Sequence, residues 1–202
     1  FYNGKTIDIR QRVQAVQRAI PSIRQKVMIP LVELDAPEDT FPWTSITETD
    51  VTPELVFEPR GFNDPLYILY SSGTTGKPKC ITHKVGGVLL QHLKELHLHS
   101  DVRPGDRIFY FTTCGWMMWN WLVSALATGA TILLHDGAAM QPPTALWELA
   151  ARERITVFGT SARHIAACEK AGVVPREVGD LSDLRCVLST GSPLAPESFD
   201  YV

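Results

Sequence analysis

From Ile108 to Leu134 the chain carries no charged residue. A run of that length and polarity is enough to cross a bilayer. It is broken, however, where a compact fold needs turns: Thr112-Thr113-Cys114-Gly115 early, Asn120 in the middle, Thr128-Gly129 late. These breaks divide the run into strand, loop, helix and strand, all buried. The expectation is an α/β unit and no membrane span. Composition agrees. Of 202 residues, 45 % are hydrophobic and 20 % charged, with a formal net charge of −3. Those proportions exclude disordered and fibrous classes, and a chain of this size can bury about 70 % of its extended surface. The near-neutral balance argues against a nucleic acid or an anionic membrane as partner.

Cys80, Cys114, Cys168 and Cys186 form no Cys-x-x-Cys pair and match no zinc spacing. Nothing at the start resembles a signal peptide, so the cysteines read as reduced thiols of a cytoplasmic protein. His92, His97 and His99 lie close in sequence, but their spacing shares no helix face. They read as a solvated helix end rather than a metal site.

Charge divides the chain. Residues 1–26 hold six Lys/Arg and one Asp, whereas residues 33–64 hold nine Asp/Glu and only Arg60. Apolar Ile9, Val13, Val16 and Ile20 predict a helix over residues 8–20, closed by Pro21. Val27 to Leu34 reads as a buried strand. Pro37, Pro42, Pro53 and Pro59 then make a connector. The predicted organisation is residues 1–64 as an N-terminal helix, strand and acidic connector, and 65–202 as an α/β subdomain. In the second part strands are expected at Leu66–Tyr70, Arg107–Phe111, Thr131–Leu134, Thr156–Phe158 and Arg185–Ser189. Helices are expected at Val85–Leu98, with Val88, Leu89, His92 and Leu96 on one side, and at Met117–Ala127, Ala145–Arg152 and Ala162–Ala171. This alternation implies a mostly parallel sheet with flanking helices.

Ser71-Ser72-Gly73-Thr74-Thr75-Gly76-Lys77-Pro78-Lys79 follows the first of these strands directly. Its chemistry suits a polyphosphate. Gly73 and Gly76 let the backbone bend and approach a ligand. Amides exposed in such a turn make an anion-binding nest. Four hydroxyls and two lysines add donors, a magnesium ligand and positive charge. Gly-Lys is followed here by Pro78, so this is not the common phosphate loop of kinases and GTPases. His83 lies close behind; nucleotide contact and a structural role weigh equally for it.

The nonapeptide resembles the signature of the adenylate-forming enzymes: acyl-CoA synthetases, luciferases and peptide-synthetase adenylation domains. Three further segments are similar to the acetoacetate–CoA ligase branch. They are Gln91-His92-Leu93-Lys94-Glu95, Thr113-Cys114-Gly115-Trp116-Met117-Met118-Trp119-Asn120-Trp121, and Leu188-Ser189-Thr190-Gly191-Ser192-Pro193-Leu194 with Glu197-Ser198-Phe199-Asp200-Tyr201-Val202. The resemblance covers the whole chain and is strongest from Pro65 onward.

It implies part of the large N-terminal domain of the adenylate-forming fold. It also implies an acyl transfer from acetoacetate, through an acyl-adenylate, to CoA, with ATP and Mg2+. Ser71, Ser72, Gly73, Thr74, Thr75, Gly76, Lys77 and Lys79 would hold the β- and γ-phosphates, with Thr75 and Lys79 catalytic and Thr75 a magnesium ligand through ATP. Gly191, Ser192 and Pro193 would lie against the adenine. Trp116, Met117, Met118 and Thr190 would line the acyl pocket, Trp116 also walling the thiol channel. Thr190 is a candidate partner for the 3-keto oxygen. Trp119 and Trp121 read more simply as core.

The sequence departs from the family by lacking a Gly-x-Thr-Glu segment, a ribose-binding Asp and a late Lys. The expectation is a central fragment, inactive alone, whose partner is the missing C-terminal part of the same chain. Two other readings stay open: a synthetase for acetate or another short-chain acid, and a non-catalytic nucleotide-binding module of the same fold.

Overall fold

The computed structural model describes residues 2–32, 37, 39–48, 54–71 and 76–202. They fall into two compact units, spanning 1–58 and 59–202. The first holds helix α1 (Arg10–Ala19), the short strands β1 (Val27–Met28) and β2 (Phe41–Pro42), and helix α2 (Thr44–Thr47). β1 and β2 pair in parallel, Val27 opposite Phe41 and Met28 opposite Pro42. The strand expected over residues 27–34 stops at Met28. Pro30 lacks the N–H that would continue the ladder, and Glu33 and Leu34 lie outside the described residues.

The second unit begins with β3 (Pro65–Tyr70) and β4 (Cys80–Lys84), an antiparallel hairpin in which Tyr70 faces Cys80 and Tyr67 faces His83. Helix α3 (Val85–Lys94) follows at once. Its first orphan donors are taken up locally: Val85 N–H bonds the Asp64 carbonyl and Gly86 N–H the Phe62 carbonyl, at 2.9 and 3.0 Å. The helix expected as one piece to Leu98 changes pitch and runs as a π-turn over Glu95–His99. Leu96 is then fully buried while His97, Leu98 and His99 stay exposed. His92 is buried, not solvated, and its Nδ1 lies 2.8 Å from Ser124 Oγ. Ser124 Oγ donates to the Asn120 carbonyl at 3.0 Å, so the histidine Nδ1 is the donor to it. Burial lowers the pKa of His92 and keeps the ring neutral. Leu89, expected beside it, faces solvent.

The remaining elements alternate as the composition requires: β5 (Arg107–Tyr110), α4 (Met117–Ser124), β6 (Thr131–Leu133), α5 (Ala145–Arg152), β7 (Val157–Ser161), α6 (Ala162–Lys170), α7 (Pro175–Val178), β8 (Cys186–Thr190) and α8 (Pro196–Tyr201). The uncharged run is thus β5, α4, a 3-10 turn and β6, and among the described residues no helix is long and apolar enough to cross a membrane. The four strands form a parallel sheet in the order β6-β5-β7-β8.

Successive strand residues point to opposite faces. Ile108, Tyr110 and Val157 pack on one face with Leu96, Val102, Trp121 and Leu122. Phe109 and Phe158 pack on the other with Leu146, Trp147, Ile155 and Cys168. Trp147 stacks on Phe158 with ring centroids 4.8 Å apart. The chain leaves β5 towards β6, then returns to pair β7 on the opposite side of β5. That reversal is a topological switch point, and ligands bind α/β sheets at the carboxyl ends of strands beside such a point.

The amino ends are tied by one buried carboxylate. Asp106 accepts from the Arg103 N–H at 2.6 Å, from Thr156 Oγ1 at 2.8 Å and from Arg185 Nη2 at 2.5 Å. Burial alone would raise its pKa; the bonds from Arg185, Arg103 and Thr156 outweigh it and hold the carboxyl below 3.8. A lowered native pKa contributes stability above the unfolded value, and that contribution disappears as pH falls through the native value. Asp106→Asn is therefore expected to cost about 2–3 kcal/mol near neutral pH. The gap from wild type should close as the buffer is taken below the ordinary carboxylate value, 3.8. Denaturant unfolding of the full-length protein at the two pH values checks this.

Candidate functional site

The glycine-rich nonapeptide joins β3 to β4 in the chain. Its neck is closed by the Ser71 N–H on the Lys79 carbonyl at 2.9 Å, with the Lys79 N–H on Ser71 Oγ at 3.3 Å. Ser72, Gly73, Thr74 and Thr75 lie outside the described residues. Gly76, Lys77 and Lys79 are exposed.

The acyl-pocket candidates follow the carboxyl ends of β5 and β8. Trp116 is extended, with φ −102° and ψ 152°, immediately before α4, and its side chain is 67 % exposed. Met117, next to it, lines a cleft of about 390 Å³ together with Tyr67, His83, Gln91, His92 and Glu95. The ring of His83 lies 5.2 Å from that of Tyr67. His83 therefore faces the same cleft as Met117. Met118 turns the other way and packs against the core cluster that contains Trp121. Trp121 is buried with its edge on Tyr110, at 6.1 Å and 75°.

Thr190 closes β8. Its Oγ1 is 2.7 Å from the hydroxyl of Tyr110, and that hydroxyl donates to the Thr160 carbonyl at 3.0 Å. A carbonyl only accepts, so the single phenolic proton lies on it and the Thr190 hydroxyl donates to Tyr110. Burial raises the Tyr110 pKa, with the Thr190 bond opposing, so the phenol is neutral at ordinary pH. Gly191, next in the chain, has φ +90°, a conformation that a side chain would strain. That turn exposes Gly191, Ser192 and Pro193 at the edge of the sheet.

Tyr110 is the site residue that sequence reasoning missed. β5 and β8 are separated by β7, and strands two apart in a sheet are about 10 Å from one another. In register opposite Tyr110 on β7 sits Gly159. A Cβ at Gly159 would fall 2.1 Å from Tyr110 Cδ2. The ring therefore lies over the glycine and spans β7 to reach Thr190. The sequence holds a sign of this, a Gly within an otherwise apolar strand, which marks a close approach. Sequence reasoning instead ended the strand at Phe158.

Residues 5–201 match the family described as AMP-binding enzyme. The chain belongs to that family. It is 49 % identical over 208 residues to an acetoacetyl-coenzyme A synthetase of Rhizobium meliloti (strain 1021), covering 100 % of this chain and 32 % of that protein. An acetoacetyl-CoA synthetase of Gallus gallus is 44 % identical over 211 residues, with 100 % and 32 % covered. Among solved structures, acetoacetyl-CoA synthetase from Streptomyces lividans superposes with TM-score 0.89 at 48 % identity, covering 100 % of this chain and 31 % of that one. The chain therefore spans about a third of the length of the AMP-binding relatives it matches, and its parallel sheet with flanking helices is part of their fold.

Proposed function

We propose that this chain is the part of an acetoacetate–CoA ligase that holds the phosphates of ATP and one wall of the acyl pocket. The observation that carries the reading is the resemblance along the whole chain to proteins named acetoacetyl-CoA synthetase. The glycine, serine and threonine composition of Ser71–Lys79 and the Trp116, Met117 and Thr190 positions after the carboxyl ends of β5 and β8 support it.

The reaction has two steps. A carboxylate oxygen of acetoacetate attacks the α-phosphorus of ATP, and the bond to pyrophosphate breaks, leaving acetoacetyl-AMP. The thiol of CoA then attacks the acyl carbon; its proton leaves and AMP is expelled. Phosphoryl chemistry of this kind is mostly positioning and charge neutralisation. The loop amides, with Lys77 and Lys79, neutralise the departing pyrophosphate, and Thr75 holds its oxygens. Gly191, Ser192 and Pro193 present backbone to the adenine. Trp116 walls the acyl pocket and thiol channel, with Met117 and Thr190 around the acid, while Met118 packs against the core.

Among the described residues no three His, Cys, Asp or Glu side chains converge on a metal position. Magnesium would enter as the counter-ion of ATP, with Thr75 as a hydroxyl that would hold it. The ribose-binding Asp, the magnesium-binding Glu and the late Lys come from the rest of a chain of the relatives' length. The 202 residues alone are then inactive, and the enzyme works in the cytoplasm, where ATP and free CoA are available.

Acid-dependent ATP–pyrophosphate exchange by the full-length protein, with acetoacetate, acetate, propionate and butyrate in parallel, tests this. Acetoacetate is expected to support the fastest exchange. Preference for acetate or propionate replaces the substrate with another short acid. No exchange with any acid leaves a nucleotide-binding module without this chemistry.

A further inference from the structure

We propose that Tyr110 is a positioning residue for the acyl pocket, holding Thr190 through a hydroxyl relay that lets Thr190 turn its O–H as a hydrogen-bond donor to the substrate. The proposal rests on the reading of Thr190 as a residue that meets the acid. Thr190 ends a strand and is exposed, so nothing in its own element selects one of its three staggered side-chain wells. Tyr110 does. Its ring is pinned between Gly159, which leaves it room, and the edge of Trp121. Its hydroxyl is fixed at two points, the Thr160 carbonyl at 3.0 Å and Thr190 Oγ1 at 2.7 Å.

At rest the protons run from Thr190 to Tyr110 to the Thr160 carbonyl, so Thr190 turns only lone pairs outward. A plain carboxylic acid gains nothing from it there. An acid with an oxo group at C3 is an acceptor, and it draws the Thr190 O–H towards itself. The Tyr110 O–H then rotates about its C–O bond from the Thr160 carbonyl to Thr190 Oγ1. Both distances already permit this, so no heavy atom need move. The pair thus reads the third carbon of the acid by its hydrogen-bonding sense.

The test compares Thr190→Val, Tyr110→Phe and the double variant of the full-length protein in steady-state kinetics with acetoacetate and butyrate. One hydrogen bond is at stake, so Tyr110→Phe should raise KM for acetoacetate about 3- to 10-fold relative to KM for butyrate. Thr190→Val should do the same, and the double variant should be no worse than Thr190→Val alone, since the two act as one unit. Thr190→Ser, which keeps the hydroxyl, should retain most of the preference for the oxo acid. If Thr190→Val discriminates the acids but Tyr110→Phe shifts both equally or neither, the relay is overturned and the Thr190 reading survives. If Thr190→Val fails to discriminate them, the acyl-pocket reading of Thr190 falls, and the relay with it.

Discussion

Lys79→Ala in the full-length protein is expected to lower kcat/KM for adenylation about 10²- to 10³-fold, the loss associated with removing one preorganised charge-stabilising donor. In the proposed reaction charge develops on pyrophosphate as it leaves, and Lys79 immediately precedes β4, at the root of the loop. The substitution is clean because the neck of the hairpin uses only the backbone of Lys79, whose N–H and carbonyl bond Ser71. The bonds that close the neck are therefore kept while the ammonium is lost. Lys79→Arg keeps the charge but not the compact head group, and should recover part of the rate. ATP–pyrophosphate exchange at saturating acetoacetate is the measurement. A Lys79→Ala enzyme within threefold of wild type would remove Lys79 from the catalytic set.

The second large effect is on stability. Gly159→Ala is expected to cost about 3 kcal/mol, at the upper end of what overpacking a core residue does. A methyl group there would meet Cδ2, Cε2 and Cγ of Tyr110 at 2.1, 2.5 and 2.6 Å, all within the ring. The ring cannot yield without losing its bonds to the Thr160 carbonyl and Thr190, or without pushing on Trp121. Thermal unfolding of the full-length variant measures the loss. Combining Gly159→Ala with Tyr110→Ala should cost less than the sum of the two single changes, because removing the ring relieves the clash that the added methyl group creates. Simple addition would mean that the two residues do not meet.

How much of this was legible in the sequence follows from what each element is held by. Helix α5 was expected at Ala145–Arg152 and is found there, because Leu146, Trp147, Leu149 and Ala150 all bury against the sheet and leave the helical period visible. β4 was not expected. Cys80, Ile81, Thr82 and Lys84 are exposed, so the strand shows no alternation of buried and exposed positions. It exists by pairing with β3 across the hairpin, which single-strand periodicity does not record. Helices α7 and α8 were passed over although each opens on a proline, Pro175 and Pro196, the residue favoured in the first turn of a helix.

The acyl end divides in the same way. Trp116 and Met117 were named from one contiguous segment and lie together before and within α4. Met118, named with them, packs into the core, because one step along a helix turns a side chain by about 100°.

By itself the sequence determined a layered α/β chain and a phosphate-suited loop. Hydrophobic run lengths and the chemistry of nine adjacent residues are local properties. Only the tertiary structure decided what the uncharged run Ile108–Leu134 does beyond filling a core. Tyr110 meets Thr160 and Thr190 across separations of 50 and 80 residues. That meeting depends on strand order, parallel register and a glycine on the strand between, none of which is written in the run itself.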